Sequence, residues 1–187
     1  MKKSRKTALT SRKVYLRRPA ASDFDELAER YRGSRELFRG VASSIFDRES
    51  FEEMLRSSDT ETKQSFLICR SEDKSIVGTI TLSQIFRKAF QNAYLGYQLF
   101  GGFTGNGYMS EAVDLILRYA FVELGLHRVE ANVQPENKPS IAVLKRNRFA
   151  KEGFSRRYLK IAGRWRDHER WAILVEDWRK KSNQSAS

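Results

Sequence analysis

The sequence predicts one α/β domain of the α+β type, with a mixed, mostly antiparallel sheet of about seven strands and about four helices. Three observations support this prediction. The 187 residues suit a single domain. Most apolar segments are short and β-rich, and one strand–loop–helix–strand crossover separates two groups of antiparallel strands. We therefore expect a domain at 13–180, with a flexible basic leader at 1–12 and a disordered tail at 181–187.

Local patterns predict the elements of the N-terminal half. Residues 14–17 alternate and stop before Pro19, which is typical of a short strand. Ser22 is a good N-cap for a helix that ends at Gly33, and Asp47 is a good N-cap for a second, short helix. Three β-rich runs separated by polar turns then predict an antiparallel meander, at 66–70, 75–82 and 93–100.

The C-terminal half begins with a glycine-rich loop at 101–107, which precedes a predicted helix at 109–124. A strand is predicted at 127–134. The motif Asn-Lys-Pro starts a further helix over 137–146, because proline suits the first helical turn. Two β-rich runs on either side of Ala162 and Gly163 predict a closing hairpin.

The positive charge lies in two segments. The net charge is +12; residues 1–18 hold eight basic and no acidic side chains, and residues 145–170 hold ten basic and three acidic ones. Scattered charge would serve solubility, but clustered charge favours a polyanionic partner such as a ribosome or another RNA-rich surface. Zinc-finger and RNP-like motifs, which would indicate sequence-specific readout, do not occur in the sequence.

Cysteine and hydropathy patterns restrict the environment. Cys69 is the only cysteine, so an intrachain disulfide and a cysteine-based metal cluster are excluded. No apolar run approaches the roughly 18 residues that a membrane span needs. We expect a cytoplasmic protein with no metal and no membrane contact. An organelle transit peptide is the alternative for the leader, which lacks the amphipathic apolar face of such peptides.

The glycine-rich loop is a candidate anion site. Gly105 and Gly107 let backbone N–H groups converge on a phosphate at the positive end of the following helix. The loop lacks the Gly-Lys-Ser/Thr of a P-loop, and its spacing differs from the dinucleotide fingerprint. A flexible connection is the alternative interpretation of a glycine loop taken alone.

Longer motifs resemble the GNAT superfamily of acetyl-CoA-dependent N-acetyltransferases, in particular enzymes of the RimJ/RimL type that acetylate alanine on ribosomal proteins. The resemblance covers nearly the whole chain. It rests on Tyr-Leu-Gly-Tyr-Gln-Leu at 94–99, Gly-Asn-Gly-Tyr-Met-Ser-Glu-Ala at 105–112, Asn-Lys-Pro-Ser at 137–140, Lys-Glu-Gly-Phe at 151–154 and Gly-Arg-Trp-Arg-Asp-His at 163–168.

This resemblance implies that two neighbouring strands splay apart, that pantetheine lies in the wedge and that loop amides hold the pyrophosphate of acetyl-CoA. Two positions depart from the family pattern. Gly102 replaces the usual Gln or Arg, and Arg148 replaces a helix-ending glycine, at a cost of about 1 kcal/mol if its backbone is left-handed. The implied cofactor-binding residues are Gln98, Leu99, Phe100, Gly102, Phe103, Thr104, Gly105, Asn106, Gly107, Tyr108 and Asn137.

The resemblance also suggests catalytic residues. Ser140 matches the family serine beside the thioester sulfur, and a backbone N–H near Leu99 would meet the oxyanion. Two positions where relatives carry a glutamate base hold Tyr94 and Leu159 instead. Tyr94 and His168 are the candidate proton carriers, with Tyr97 and Tyr158 as further relays, whereas Glu111 is interpreted as a first-turn helix carboxylate.

The missing carboxylate base favours one type of acceptor. An α-amino group, with a pKa of about 7.8, is neutral far more often at pH 7 than a lysine with a pKa of about 10.4. We therefore expect a protein N-terminus as the acceptor, with the basic segments contacting a ribosome or RNA. The alternatives are a small-molecule acetyltransferase on the same fold and a non-enzymatic ribosome- or RNA-binding module.

Overall fold

The computed structural model describes residues 9–39 and 46–184. Residues 1–8 of the predicted leader and residues 185–187 of the predicted tail lie outside this range. Within it, eight strands form a single sheet: β1 (Val14–Arg17), β2 (Asp59–Thr60), β3 (Lys63–Arg70), β4 (Ile76–Ser83), β5 (Asn92–Leu99), β6 (Arg128–Val133), β7 (Ala150–Ile161) and β8 (Arg164–Leu174).

The strand order is β1-β3-β4-β5-β6-β8-β7, with β2 paired to β3 beside this path. All neighbours are antiparallel except β5 and β6, which are parallel. The parallel pair has only three registered positions and ends at Tyr94 and Glu130. Beyond these residues β5 and β6 diverge, so the sheet is open at its centre.

Six α-helices are present in the described part of the chain: α1 (Phe24–Gly33), α2 (Arg35–Phe38), α3 (Arg48–Ser57), α4 (Tyr108–Arg118), α5 (Lys138–Arg146) and α6 (Val175–Gln184). Two N-caps follow the sequence prediction. The Asp47 carboxylate accepts a hydrogen bond from the amide of Ser50, and the Asn137 side chain accepts one from the amide of Ser140. None of these helices is long and apolar enough to cross a bilayer.

The two faces of the sheet carry separate apolar clusters. One buries residues of α4 and α5 against the sheet, including Ile116 and Leu144, and the other buries Leu27, Phe38 and Phe51 beneath α1, α2 and α3. The alternation of strand side chains explains this division, because neighbours such as Ile68 and Cys69 point to opposite faces. The divergence of β5 and β6 therefore joins two otherwise separate faces.

The fold confirms the predicted mixed, mostly antiparallel sheet and corrects several elements. The N-cap predicted at Ser22 is wrong, because Ala21–Asp23 form a 3₁₀ turn whose start is tied by the Asp23 carboxylate to the amide of Ala20. The helix predicted at 109–124 is α4 followed by a π-helical turn over Tyr119–Glu123. The short elements α2 and β2 and the C-terminal helix α6 were not predicted.

The ends of the domain contain more structure than the predicted boundaries suggest. Ser11 donates a 2.7 Å hydrogen bond to the Glu111 carboxylate of α4, and the amide of Leu16 donates to the carbonyl of Leu9. The described part of the predicted leader, residues 9–12, thus contacts the domain. At the other end, α6 keeps the backbone helical through Gln184.

Arg148 ends α5 in the left-handed conformation, with φ of 62°. The amide of Phe149 donates to the carbonyl of Leu144, and that of Arg148 donates to the carbonyl of Lys145, which together form a Schellman motif. Glycine normally occupies this position because a Cβ strains the left-handed backbone. The departure noted in the sequence is therefore a strained helix end and not a different turn.

Candidate functional site

A cavity of about 200 Å³ opens where β5 and β6 diverge. Gly96 and Tyr97 of β5 line one side of it, and Ala131 and Asn132 of β6 line the other. The remaining walls come from the start of α5 and from the β7–β8 hairpin, with Asn137, Ser140, Leu159 and His168 among the lining residues. Three predicted site residues, Ser140, His168 and Asn137, therefore meet in one place.

Ser140 and Tyr97 form a hydrogen-bonded pair in this cavity. Their hydroxyl oxygens are 2.8 Å apart, and the Tyr97 hydroxyl also donates to the backbone carbonyl of Ser140 at 3.2 Å. Asn137 fixes the backbone of Ser140, because its side-chain oxygen caps α5 and accepts a 3.2 Å hydrogen bond from the Ser140 amide. The Ser140 hydroxyl is thus held at the first turn of a capped helix.

The protonation of Tyr97 limits its chemistry. Burial raises the pKa of Tyr97 to about 12, despite the opposing hydrogen bond with Ser140. Against a thiol of ordinary pKa, about 8.5, transfer of the phenol proton to a thiolate is uphill by on the order of 5 kcal/mol. Tyr97 therefore stays protonated at neutral pH and can orient Ser140 by hydrogen bonding, but it is a poor final proton donor.

His168, on β8, also lines the cavity and is 2% exposed. Its Nδ1 is 3.0 Å from the carbonyl oxygen of Arg166. Because a carbonyl only accepts, Nδ1 carries the proton in the neutral ring and Nε2 holds the lone pair. The ring is also packed beside Tyr158, with 5.8 Å between ring centroids. This arrangement makes Nε2 a potential proton acceptor.

The glycine-rich loop precedes α4 at the C-terminal end of β5. Gly102, Gly105 and Gly107 have φ values of 84°, 82° and 80°, and no atom lies within 4 Å of a Cβ built on Gly102 or Gly105. Within the described residues, the amides of Gly102 and of residues 104–107 donate to no protein acceptor. Free amides, open space and a helix N-terminus together fit a pyrophosphate.

Lys13 adds a positive charge beside this loop. Its Nζ donates a 2.9 Å hydrogen bond to the carbonyl of Asn106, and it lies 3.4 Å from a Cβ built on Gly107. A second cavity, of about 340 Å³, begins here and is also lined by Arg12, Arg70 and Tyr108. The sequence prediction omitted Lys13, although its charge and its position before β1 were the available signals.

A family model described as "Acetyltransferase (GNAT) domain" matches residues 13–150. The chain belongs to the GNAT acetyltransferase family. The resemblance identified from the sequence motifs is thereby confirmed, and proteins of the RimJ/RimL type are among the relatives and structural neighbours.

Three comparisons place this GNAT domain among its relatives. It is 44% identical over 119 residues to "Probable N-acetyltransferase YjcK" of Bacillus subtilis (strain 168), covering 64% of the chain and 66% of the relative. It is 39% identical over 107 residues to the ribosomal protein uS5-alanine N-acetyltransferase of Escherichia coli (strain K12), covering 57% of the chain and 55% of the relative. Mycobacterium smegmatis RimJ in complex with CoA-disulfide superposes with a TM-score of 0.77 at 28% identity, covering 88% and 83% of the two chains.

The chain thus spans less than two thirds of the length of these two curated relatives. The solved structure, in contrast, matches over most of both chains.

Several predicted cofactor residues of the GNAT domain point away from the split. Phe100 is fully buried beneath α1, where its ring packs against Tyr31 at 5.1 Å between centroids. The Gln98 side chain donates to the Tyr31 hydroxyl on the same face. Phe103 packs against both apolar clusters, and Thr104 is exposed. The Leu99 side chain packs against the apolar cluster that contains Ile116 and Leu144.

Tyr94 lies at the last registered pair of β5 and β6 and does not line the cavity. Burial, the nearby Glu130 carboxylate and Tyr158 raise the pKa of Tyr94. The Glu111 carboxylate accepts hydrogen bonds from the Ser11 hydroxyl and the Lys13 amide, which is consistent with a structural role at the start of α4. Neither residue is among those that line the cavity.

Asn132 is a cavity residue that the sequence did not indicate. Its side-chain oxygen is buried and has no hydrogen-bond partner among the described residues. A buried carbonyl without a donor costs about 1–3 kcal/mol. Because Asn132 lines the split, this oxygen is available to an N–H donor that enters the cavity.

Proposed function

We propose that the chain transfers the acetyl group of acetyl-CoA to the α-amino group of a protein N-terminus. The observation that carries this proposal is the cavity between β5 and β6, which the Ser140–Tyr97 pair and His168 line together. An acyl transfer to nitrogen needs a neutral amine, a hydrogen-bond donor at the departing sulfur and an acceptor for the amine proton. The cavity supplies the second and third groups.

Acetyl-CoA supplies the activated acetyl group when bound. The free amides of the glycine-rich loop, the N-terminus of α4 and Lys13 would hold its pyrophosphate. The split between β5 and β6 would admit the pantetheine arm, so that the sulfur comes next to Ser140.

In this arrangement the Ser140 hydroxyl donates its proton to the sulfur and accepts a hydrogen bond from the Tyr97 hydroxyl, whose single proton then leaves the Ser140 carbonyl and orients the serine. His168 Nε2 accepts the proton that leaves the nitrogen, either directly or through one water. The side-chain oxygen of Asn132 accepts a second N–H of the incoming amine and thereby orients its lone pair.

The lining of the cavity favours an α-amine over a lysine. No aspartate or glutamate is among the described residues that line it. A carboxylate would help to deprotonate a lysine, which with a pKa of about 10.4 is neutral less than once in a thousand at pH 7. An α-amine is neutral about once in ten, and a histidine without a carboxylate partner is sufficient for it.

The relatives suggest a ribosomal protein as the acceptor. One curated relative is named for acetylating alanine of ribosomal protein uS5, and a solved neighbour is Mycobacterium smegmatis RimJ. We propose that this chain acts in the cytoplasm on an N-terminal residue of the same kind.

Mass spectrometry of acetylated peptides tests this function. The protein is incubated with acetyl-CoA and a peptide that begins with alanine and contains an internal lysine. We expect one acetyl group on the α-nitrogen, and none on a matched peptide whose N-terminus is already blocked. Modification of lysine alone would contradict the α-amine assignment. A labelled metabolite from a cell extract, with no labelled peptide or protein, would favour a small-molecule acceptor.

We further propose that the basic leader strengthens association with RNA rather than catalysis. Residues 1–8 carry four of the basic side chains, whereas residues 9–12 contact the domain. Deleting residues 2–8 should reduce co-sedimentation with ribosomes, most clearly at intermediate salt, and leave peptide turnover intact. Replacing Lys2, Lys3, Arg5 and Lys6 by glutamine is the matched control for charge. Lost turnover with unchanged co-sedimentation would contradict this division of roles.

A further inference from the structure

Three arginines lie on the face of β8 that carries His168. Side chains alternate along a strand, so Arg164, Arg166 and Arg170, here called the β8 arginines, share this face with His168. In the hairpin register Arg164 is opposite Ile161 and Arg166 is opposite Leu159, and both of these apolar residues line the cavity. The β8 arginines therefore flank the opening through which an acceptor amine would reach Ser140.

Arg164 and Arg166 form no ion pair with a carboxylate in the part of the chain that the structure describes, whereas Arg170 adds to the effect of Arg128 in lowering the pKa of the Glu152 carboxyl. The Nε of Arg166 is also buried without a hydrogen-bond acceptor. An unpaired, partly desolvated guanidinium is costly and is stabilised by an incoming anion. The acidic side chains nearby are already engaged: Glu130 and Glu152 by Arg128, Glu169 by Lys151, and Asp167 by the backbone amide of Arg157.

We propose that the β8 arginines select acceptor peptides with acidic side chains close to the N-terminus. This inference rests on the proposed function and adds the chemical class of its acceptor. A strand rises about 3.3 Å per residue, so Arg166 and Arg164 lie about 7 and 13 Å along β8 from His168. An extended peptide with its amine in the cavity advances by the same rise. Carboxylates at about its third and fifth residues would then meet these two guanidinium groups.

The same geometry distinguishes this acceptor from two others. A polyamine or a basic peptide would bring positive charge to the unpaired Arg164 and Arg166 and be repelled. Single-stranded RNA is bound by basic side chains interleaved with exposed aromatic rings. The exposed rings of this hairpin, Phe154 and Trp165, are on the opposite face from the β8 arginines, as the pairing of Phe154 with Glu169 shows. The arginine face therefore suits an acidic peptide better than RNA.

Steady-state kinetics on three peptides of equal length test the proposal. They begin Ala-Gln-Glu-Gln-Glu, Ala-Gln-Gln-Gln-Gln and Ala-Gln-Arg-Gln-Arg, so that only the α-amine is acetylated. We expect kcat/KM for the acidic peptide to exceed that for the neutral one about fivefold, which lies within the range for two exposed ion pairs, with the basic peptide poorest. The double variant Arg164→Glu/Arg166→Glu should reverse this order.

Arg118→Glu, an exposed charge reversal on α4, is the control and should keep the wild-type order. A KM for acetyl-CoA equal to that of the wild type would show that each variant is folded and binds its cosubstrate. Equal kcat/KM for all three peptides in the wild-type protein would overturn the proposal while leaving the proposed function in place. Failure to acetylate any peptide would refute the proposed function itself. If the double variant lost binding to a uridine oligonucleotide but kept the wild-type peptide preference, the arginines would serve RNA and the proposal would be wrong.

Discussion

The Ser140–Tyr97 hydrogen bond allows the catalytic account to be tested by a double-mutant cycle. Ser140→Ala removes the hydroxyl that would donate to the sulfur as charge develops there. A hydrogen bond to a charged group contributes about 1.5–3 kcal/mol, so kcat should fall about 10- to 100-fold. The KM for acetyl-CoA should change little, because the loop amides and Lys13 lie in a different part of the site.

Tyr97→Phe removes only the group that orients Ser140 at 2.8 Å. A neutral hydrogen bond is worth about 0.5–1.5 kcal/mol, which predicts a two- to tenfold fall in kcat. Because Tyr97 acts through Ser140, the double variant should be no slower than Ser140→Ala alone. Tyr119→Phe is the matched control, since it deletes a hydroxyl that hydrogen-bonds Gln64 at 2.8 Å and does not line the cavity.

Release of the free thiol, followed with a chromogenic thiol reagent at saturating acetyl-CoA, measures the activity of the wild type and of all four variants. Full activity of Ser140→Ala would remove the serine from the mechanism. Losses that multiply in the double variant would mean that Tyr97 acts independently of Ser140, and the positioning role would then be wrong.

Three further predictions concern the loop, a helix end and the phenol. Gly105→Val should abolish the rise in melting temperature that acetyl-CoA produces. Gly163→Val, which has similar backbone strain at φ of 78° in the hairpin turn, is the control and should keep this rise. An unchanged rise in Gly105→Val would show that the cofactor does not bind at this loop. Arg148→Gly should raise the free energy of unfolding by about 1 kcal/mol in denaturant titrations, because it removes the strain of a Cβ on a left-handed backbone. A lower free energy of unfolding would show that the contacts of the Arg148 side chain stabilise the fold by more than this strain costs. The pKa of Tyr97 is raised in the folded state to about 12, so its contribution is present below about pH 10 and is lost as the pH rises toward 12. The free energy of unfolding should therefore fall more steeply over pH 10–12 for the wild type than for Tyr97→Phe, and equal slopes would refute the burial of a protonated phenol.

Much of the fold follows from local signals in the sequence. Asp47 and Asn137 cap helices as predicted, and the turn at Ala162 and Gly163 closes the last hairpin. The missed elements lack such signals. Helix α2 has only four residues, too few to show a helical pattern in the sequence. Helix α6 follows β8 directly, so no glycine, proline or other turn residue marks the change from strand to helix. Ser22 was misread because the Asp23 side chain, rather than that of Ser22, organises the first turn.

The site was only partly predictable, because it depends on contacts between distant segments. The loop glycines could be found by their spacing, and Ser140 through its motif. Tyr97 meets Ser140 across 43 positions, so the pair depends on how α5 packs over the split sheet. Asn132 acquires its role because the pairing of β5 and β6 ends before it. Arg164 and Arg166 acquire theirs from the register of the β7–β8 hairpin, which a bulge between Ser155 and Leu159 shifts. Local patterns do not encode such a shift.

The central claim is that the split between β5 and β6 is where the thioester and the amine meet. A crystal structure of the protein with CoA tests it most directly. The account predicts pyrophosphate on the amides of the loop at 102–107, pantetheine between Tyr97 and Ala131, and the sulfur within hydrogen-bonding distance of the Ser140 hydroxyl. A sulfur bound elsewhere, for example in the cavity beside Arg12 and Arg70, would contradict it.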